Sequence, residues 1–202
     1  MAKLDYKKTF KQFYNPSAKA PEEVDVPAFN FLMIDGCDAR PESEGFQQAI
    51  QALFSLSYKI KFYIKKSQGI DYGVMPLEGL WWADDMRDFD EMKKENWKWT
   101  LMIMQPEVVN EDIVAEVKKT LKPADLNAAM TQVRFASFTE GKAAQIMHIG
   151  PFADEHPNIM RLHDLIAAKG HKLSGKHHEI YLNDFRKAAP DKLKTVLRQA
   201  YN

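Results

Sequence analysis

One order of elements recurs in this chain: a strand, a long amphipathic helix, then two further strands. Residues Val24 to Gln105 read this way, and Ala143 to Tyr201 reads the same if its last segment, Lys192 to Tyr201, is a strand. That segment's Leu193, Val196 and Leu197 suit a helix by pattern and a strand by position. Each copy enters its helix through a glycine followed by proline-containing residues, Gly36 to Pro41 and Gly150-Pro151. Each also carries a glutamate in the following strand, Glu78 and Glu179. Identity between the copies is slight, so the repeat is architectural. Helices and sheets bury their apolar faces against one another. The order therefore predicts an α+β fold: two pseudo-symmetric strand-helix-strand-strand units forming a joined antiparallel sheet, with helices on one face and a central ligand groove on the other.

Residues 1–23 read as a lead-in, with Phe10, Phe13 and Tyr14 as anchors and Pro16 and Pro21 against a long helix. The remainder, 24–202, reads as one domain, its pseudo-repeats at about 24–105 and 143–202 and a connecting segment at 106–142. Val24 to Gly36 is a single strand stopped by Asp35-Gly36. The strongest helix spans about Ser43 to Lys65, where Phe46, Ile50, Leu53, Ser57, Ile60 and Ile64 recur at three- and four-residue steps. Phe54, Tyr58 and Phe62 form an adjacent stripe that reads as core. Tyr72 to Ala83 is an edge or bent strand, interrupted by Pro76 and Gly79. Trp97 to Gln105 alternates cleanly, with Trp97 and Trp99 on the core side. Asp84 to Glu95 is a charged connection. A short helix covers 110–121 with Asn110 as cap, and 125–131 suits another helical turn. Val133–Phe138 and Ala143–Ile149 read as a hairpin around Thr139 to Lys142. A second amphipathic helix runs from about Asp154 to Lys169.

The strand at Lys176–Asp184 (KHHEIYLND) is the chemically suggestive one. Alternation sends Ile180 and Leu182 one way and His177, Glu179 and Tyr181 the other. A carboxylate midway along such a strand is either on a solvated face or at the floor of a pocket. Adjacent strand residues point to opposite faces, so Trp81 and Trp82 cannot both face one core. Glu78, between Pro76 and Gly79, suits a turn or a site equally.

Composition narrows the chemistry. Lys plus Arg and Asp plus Glu both number 28, which speaks against a broad nucleic-acid surface. The lone Cys37 permits no intrachain disulfide and suits a reducing cytoplasm. Residues 1–15 mix lysines with Asp5 and lead to no apolar run, so no signal peptide is expected, and no apolar run of about 20 residues offers a membrane span. The six histidines match no metal-ligand spacing, and no glycine-rich phosphate loop is present, so neither metal nor cofactor is expected. Nothing in the sequence sets an oligomeric state.

The segments HHEIYLND (177–184), IMHIGPF (146–152) and PDKLKTVLRQ (190–199) resemble the GyrI-like, or effector-binding, small-molecule-binding family. The PLEGLWW run (76–82) is similar to its larger stand-alone members, and the likeness covers about Val24 to the end. The resemblance makes Lys192–Tyr201 a strand and implies a central cleft in which the glutamate of an HxEIYL-like motif, here Glu179, faces cationic or polarised aromatic ligands. It also resembles a subgroup, the cyclopropanoid cyclopropyl hydrolases, that opens the strained cyclopropane of DNA-alkylating natural products with an aromatic cage. Trp81 and Trp82 match that subgroup's segment; Tyr72 and Tyr181 follow from position. The implied role is xenobiotic binding or metal-independent hydrolysis with Glu179 as base. The alternatives are a sequestering binder and a protein-interaction role.

Overall fold

The computed structural model describes residues 3–40, 42–85 and 93–202; Pro41 and part of the charged connection at 84–95 lie outside them. Its contacts divide the chain into two units: residues 1–6, 29–75 and 81–138, and residues 7–28, 76–80 and 139–202. The described strands are β1 (Glu22–Val26), β2 (Phe29–Cys37), β3 (Leu77–Trp82), β4 (Lys98–Gln105), β5 (Arg134–Phe138), β6 (Gly141–Ile149), β7 (Leu173–Tyr181) and β8 (Lys194–Tyr201). They form one antiparallel sheet in the order β1-β6-β8-β7-β3-β4-β2-β5. The helices are α1 (Tyr6–Thr9), α2 (Lys11–Tyr14), α3 (Glu44–Gln68), α4 (Glu111–Lys119) and α5 (His156–Ala168).

In the first unit α3 lies on β2 and β4, and α4 packs beside it. The apolar stripe explains why: Ile50, Leu53, Leu56, Ile60 and Ile64 are all buried. Each such side chain contributes about 1.5–3 kcal/mol on leaving water. Gly69 ends the helix in the left-handed conformation, φ 72°, which only glycine adopts freely. The companion stripe is core only in part: Phe54 is half-buried, whereas Tyr58 and Phe62 are 48% and 58% exposed and belong to the surface. Ser43 stands at the N-cap but places no side-chain bond on the helix. Asn110 does cap α4, accepting from the Ile113 amide at 3.0 Å.

The region read as one strand at Val24–Gly36 is two. Pro27, with no amide to donate, separates β1, which pairs with β6, from β2, which pairs with β4 and β5. Asp35-Gly36 is no stop: β2 continues to Cys37, and Gly36 stands opposite Trp99. A Cβ on Gly36 would lie 2.2 Å from the Trp99 ring, so the glycine is there for close approach. Only Leu77–Trp82 of the expected Tyr72–Ala83 strand is extended pairing; Tyr72 makes an isolated bridge with Leu4. The expected helical turn at 125–131 is two short 3-10 turns, Pro123–Asp125 and Met130–Gln132.

The expected hairpin of β5 and β6 does not form. β5 pairs with β2, whereas β6 pairs with β1 and β8. The physical reason is Glu140, which stands where a solvated turn residue was expected. Its side chain is buried, 3% exposed, and bound to Arg198 and His178.

In the second unit α5 packs on β6 and β8. Its Leu162 and Ile166 join Ala144, Ile146, Leu197 and Tyr201 in a core. Lys194–Tyr201 is a strand, paired with both β6 and β7.

Candidate functional site

β7 lies beside β8 with Glu179 opposite Leu197, Tyr181 opposite Thr195 and His177 opposite Gln199. Directly opposed residues share a face, and Leu197 packs against α5. His177, Glu179 and Tyr181 therefore occupy the helix-covered face of this unit. On the other face of this unit, where a groove was expected, Glu78, His178, Glu140 and Arg198 form a buried ionic network that also binds Tyr14 and the Phe13 carbonyl.

The Tyr181 hydroxyl donates to Glu179 Oε2 at 2.7 Å. His177 Nε2 lies 3.4 Å from Glu179 Oε1, and the two side chains are 13% and 14% exposed. Neither His177 nitrogen makes a hydrogen bond among the described residues. Around Tyr181 three rings meet edge to face: Tyr181–Phe152 at 5.7 Å, Tyr181–Phe185 at 5.7 Å and Phe152–Phe185 at 5.9 Å between centroids. Phe152 follows the Gly150-Pro151 turn, and Phe185 follows Asn183-Asp184 at the end of the strand. The result is a carboxylate beside a half-buried aromatic cluster. Such a cluster attracts positive charge through its ring faces, and the carboxylate supplies a full negative charge or accepts a proton.

The opposite face carries a different arrangement. Glu78 is 1% exposed, and it accepts from the Tyr14 hydroxyl at 2.8 Å and lies 3.0 Å from His178 Nε2. His178 Nδ1 lies 3.0 Å from Glu140, which also accepts from Arg198 at 3.0 Å. Arg198 further donates to Gln145 Oε1 and to the Phe13 carbonyl. Burial disfavours charge on His178, but Glu140 and Glu78 outweigh it and push its pKa up to about 9. Burial would likewise raise the Glu140 carboxyl, yet His178 and Arg198 hold it at about 2. Burial and then Glu78 push the Tyr14 phenol well above its ordinary value. Two carboxylates and two cations close the charge balance, which a buried site requires.

The first unit holds the remaining candidates. Trp81 is buried between Phe46, 6.0 Å away, and Trp97, 6.3 Å away, and its indole nitrogen has no hydrogen-bond partner among the described residues. Trp82 is half-buried at the end of β3. Trp99 is buried against Phe46, in the core as expected. Tyr72 is buried edge-on to Tyr6, and its hydroxyl too lacks a partner. The structure thus brings Glu179 together with Tyr181, and Glu78 with the ionic network. Alternation along β7 already placed His177 beside Glu179. Phe152 and Phe185 escaped notice because their meeting depends on two turns. Glu140 sat in a segment that read as a turn, and Arg198 in the last strand, where spacing singled out no role for it.

An antiparallel sheet carrying strand-helix-strand-strand units, with an acidic aromatic site on the helix side, defines a class of ligand-binding α+β domains. The model of the GyrI-like small molecule binding domain matches residues 19–198, and the chain belongs to that family. An uncharacterized conserved protein from Listeria innocua is 36% identical, with a TM-score of 0.90 over 99% of this chain and 100% of its own. A second Listeria innocua structure, described as a hydrolase, is 35% identical, with a TM-score of 0.85 and the same coverage. The C-terminal domain of EcmrR shares the fold alone, at 12% identity and a TM-score of 0.55 over 90% of this chain and 96% of that one. No curated protein matches the chain. Among the described residues no helix is long and apolar enough to cross a membrane.

Proposed function

We propose that the protein binds flat aromatic, often cationic, small molecules at Glu179 and hydrolyses those that carry a strained cyclopropane, protecting the cell from DNA-alkylating compounds. The observation that carries this reading is the Glu179 carboxylate set against the Phe152–Tyr181–Phe185 cluster. Opening a cyclopropyl-dienone builds positive character at carbon and negative charge on the carbonyl oxygen. Aromatic faces stabilise the former by roughly 0.5–2 kcal/mol per contact, and Glu179 accepts the proton of the attacking water. The Listeria innocua relative described as a hydrolase supports turnover. Of the remaining candidates, Glu78 is engaged by Tyr14 and His178 on the opposite face and Trp81 and Tyr72 are buried, so Trp82, which is half-buried, is retained as a further ligand-contact candidate.

A second reading, a binder that sequesters the same compounds unchanged, is favoured by the family's small-molecule-binding character. The two separate in one experiment. Wild type, Glu179→Gln and Trp82→Ala are incubated with a cyclopropane-bearing alkylator and followed by mass spectrometry and tryptophan fluorescence. A catalytic water adduct, slowed on the order of 10²-fold or more in Glu179→Gln, is the expected result. Fluorescence quenching with the compound unchanged selects the binder, and no response in either signal defeats both.

A further inference from the structure

We infer that His177 is the proton partner of Glu179, a positioning and relay residue without which the carboxylate cannot turn over. This rests on the hydrolytic reading above. Glu179 has two unlike sides: Oε2 is held by the Tyr181 hydroxyl at 2.7 Å, and Oε1 looks toward His177 Nε2 at 3.4 Å. Tyr181 fixes the carboxylate and leaves one oxygen to act. The imidazole that meets this oxygen is sequestered from solvent, yet both its nitrogens lack hydrogen bonds among the described residues. Buried polar groups in native proteins are nearly always bonded, so such a ring is placed for exchange and not for scaffolding.

Its surroundings suit the task. On β7 it faces Glu179 and Tyr181, and across β8 it faces the uncharged Gln199. From α5 comes His163, whose imidazole is held below its ordinary value by burial and then by the nearby His177, with Asp164 opposing and His156 adding to the effect. Burial and His177 thus disfavour charge on His163, and among the described residues Glu179 is the carboxylate that meets His177, at 3.4 Å. Thr195, opposite Tyr181, adds a buried hydroxyl with no hydrogen-bond partner among the described residues.

The step balances as follows. Water oxygen bonds to the cyclopropane methylene as the ring carbon–carbon bond breaks, and that electron pair enters the dienone to give a phenolate. Glu179 takes the water proton and passes it to His177; the phenolate is protonated from solvent, and His177 returns its proton to solvent. The sum is addition of one water. An imidazole is the side chain suited to taking and giving protons near neutral pH.

The test compares kcat and KM across pH for wild type, Glu179→Gln, His177→Gln and His177→Ala on the cyclopropane-bearing alkylator. His177→Gln is expected to lower kcat on the order of 10²-fold with KM little changed, and to remove one limb of the kcat profile. Added imidazole is expected to restore part of the activity of His177→Ala, which a packing role would not allow. Turnover lost in Glu179→Gln but unaltered in His177→Gln overturns the relay and leaves the hydrolase standing. A wild type without turnover overturns both.

Discussion

At position 178 the chain buries an imidazole between two carboxylates, and its neighbour at 177 does something else entirely. Strand alternation alone separates them: His178 joins Glu78, Glu140 and Arg198, while His177 joins Glu179 and Tyr181. The buried imidazole makes stability depend on pH in a definite direction. Its folded pKa of about 9 lies above the ordinary 6.5, so its contribution is complete below about pH 6.5 and is lost as pH rises through 9. Glu140 acts oppositely: held at about 2 against an ordinary 4.5, its contribution is complete above pH 4.5 and is lost on acidification through 2. Urea midpoints are thus expected to be level between about pH 5 and 6.5 and to fall from 6.5 to 9. His178→Gln should flatten that alkaline decline and cost on the order of 3–5 kcal/mol at pH 6, because two buried carboxylates lose a counter-charge. An alkaline decline of equal size in the variant would assign the effect elsewhere.

At the scale of elements, what the sequence makes legible is periodicity, and what it hides is partnership. The stripe on α3, the alternation on β4 and the Glu179 face on β7 follow from spacing alone. The β5–β6 hairpin failed because a four-residue link is compatible with two strands that never pair. Only the buried engagement of Glu140 reveals that the turn is anchored elsewhere. The exposed Tyr58 and Phe62 failed for a related reason: periodicity shows that residues share a face but not whether anything covers it. Phe152 and Phe185 became site residues through turns, where no period exists. Gly36 is the sharpest case, since a Asp-Gly pair signals a turn and here marks an indole lying over a strand. Gly36→Ala would bring its Cβ to 2.2–2.7 Å from three Trp99 ring atoms. A cost of about 1–3 kcal/mol is expected from the forced shift, read from denaturant midpoints. Trp99→Leu in the Gly36→Ala background should recover part of it in a double-mutant cycle. Strict additivity would mean that the two residues do not meet.

For the molecule as a whole, the N-terminal segment is the piece whose contribution the sequence most understated. Read as a lead-in, it supplies polar groups to the core of the second unit. The Tyr14 hydroxyl satisfies Glu78 at 2.8 Å, the Phe13 carbonyl accepts from Arg198 at 2.6 Å, and the Gln12 carbonyl accepts from Gln145 at 2.6 Å. The Ser17 carbonyl accepts from the Met147 amide at 3.0 Å, and Phe13 is itself buried. The family match begins at residue 19, so a chain starting there retains the family's domain and loses all four bonds. Hydrogen bonds to charged groups contribute about 1.5–3 kcal/mol each, and burying one phenylalanine about as much. Glu78 would keep His178, and Arg198 would keep Glu140 and Gln145, but each would lose one buried partner. The combined cost is on the order of 5 kcal/mol or more, comparable with the whole stability of an ordinary domain. The truncated chain is therefore expected to be largely unfolded by circular dichroism and amide exchange. Tyr14→Phe, which deletes one bond and keeps the ring, should remain folded and lose about 1.5–3 kcal/mol. If the truncated chain instead unfolds cooperatively at the wild-type urea midpoint, the ionic network closes without residues 1–18, with His178, Glu140 and Gln145 sufficing for Glu78 and Arg198.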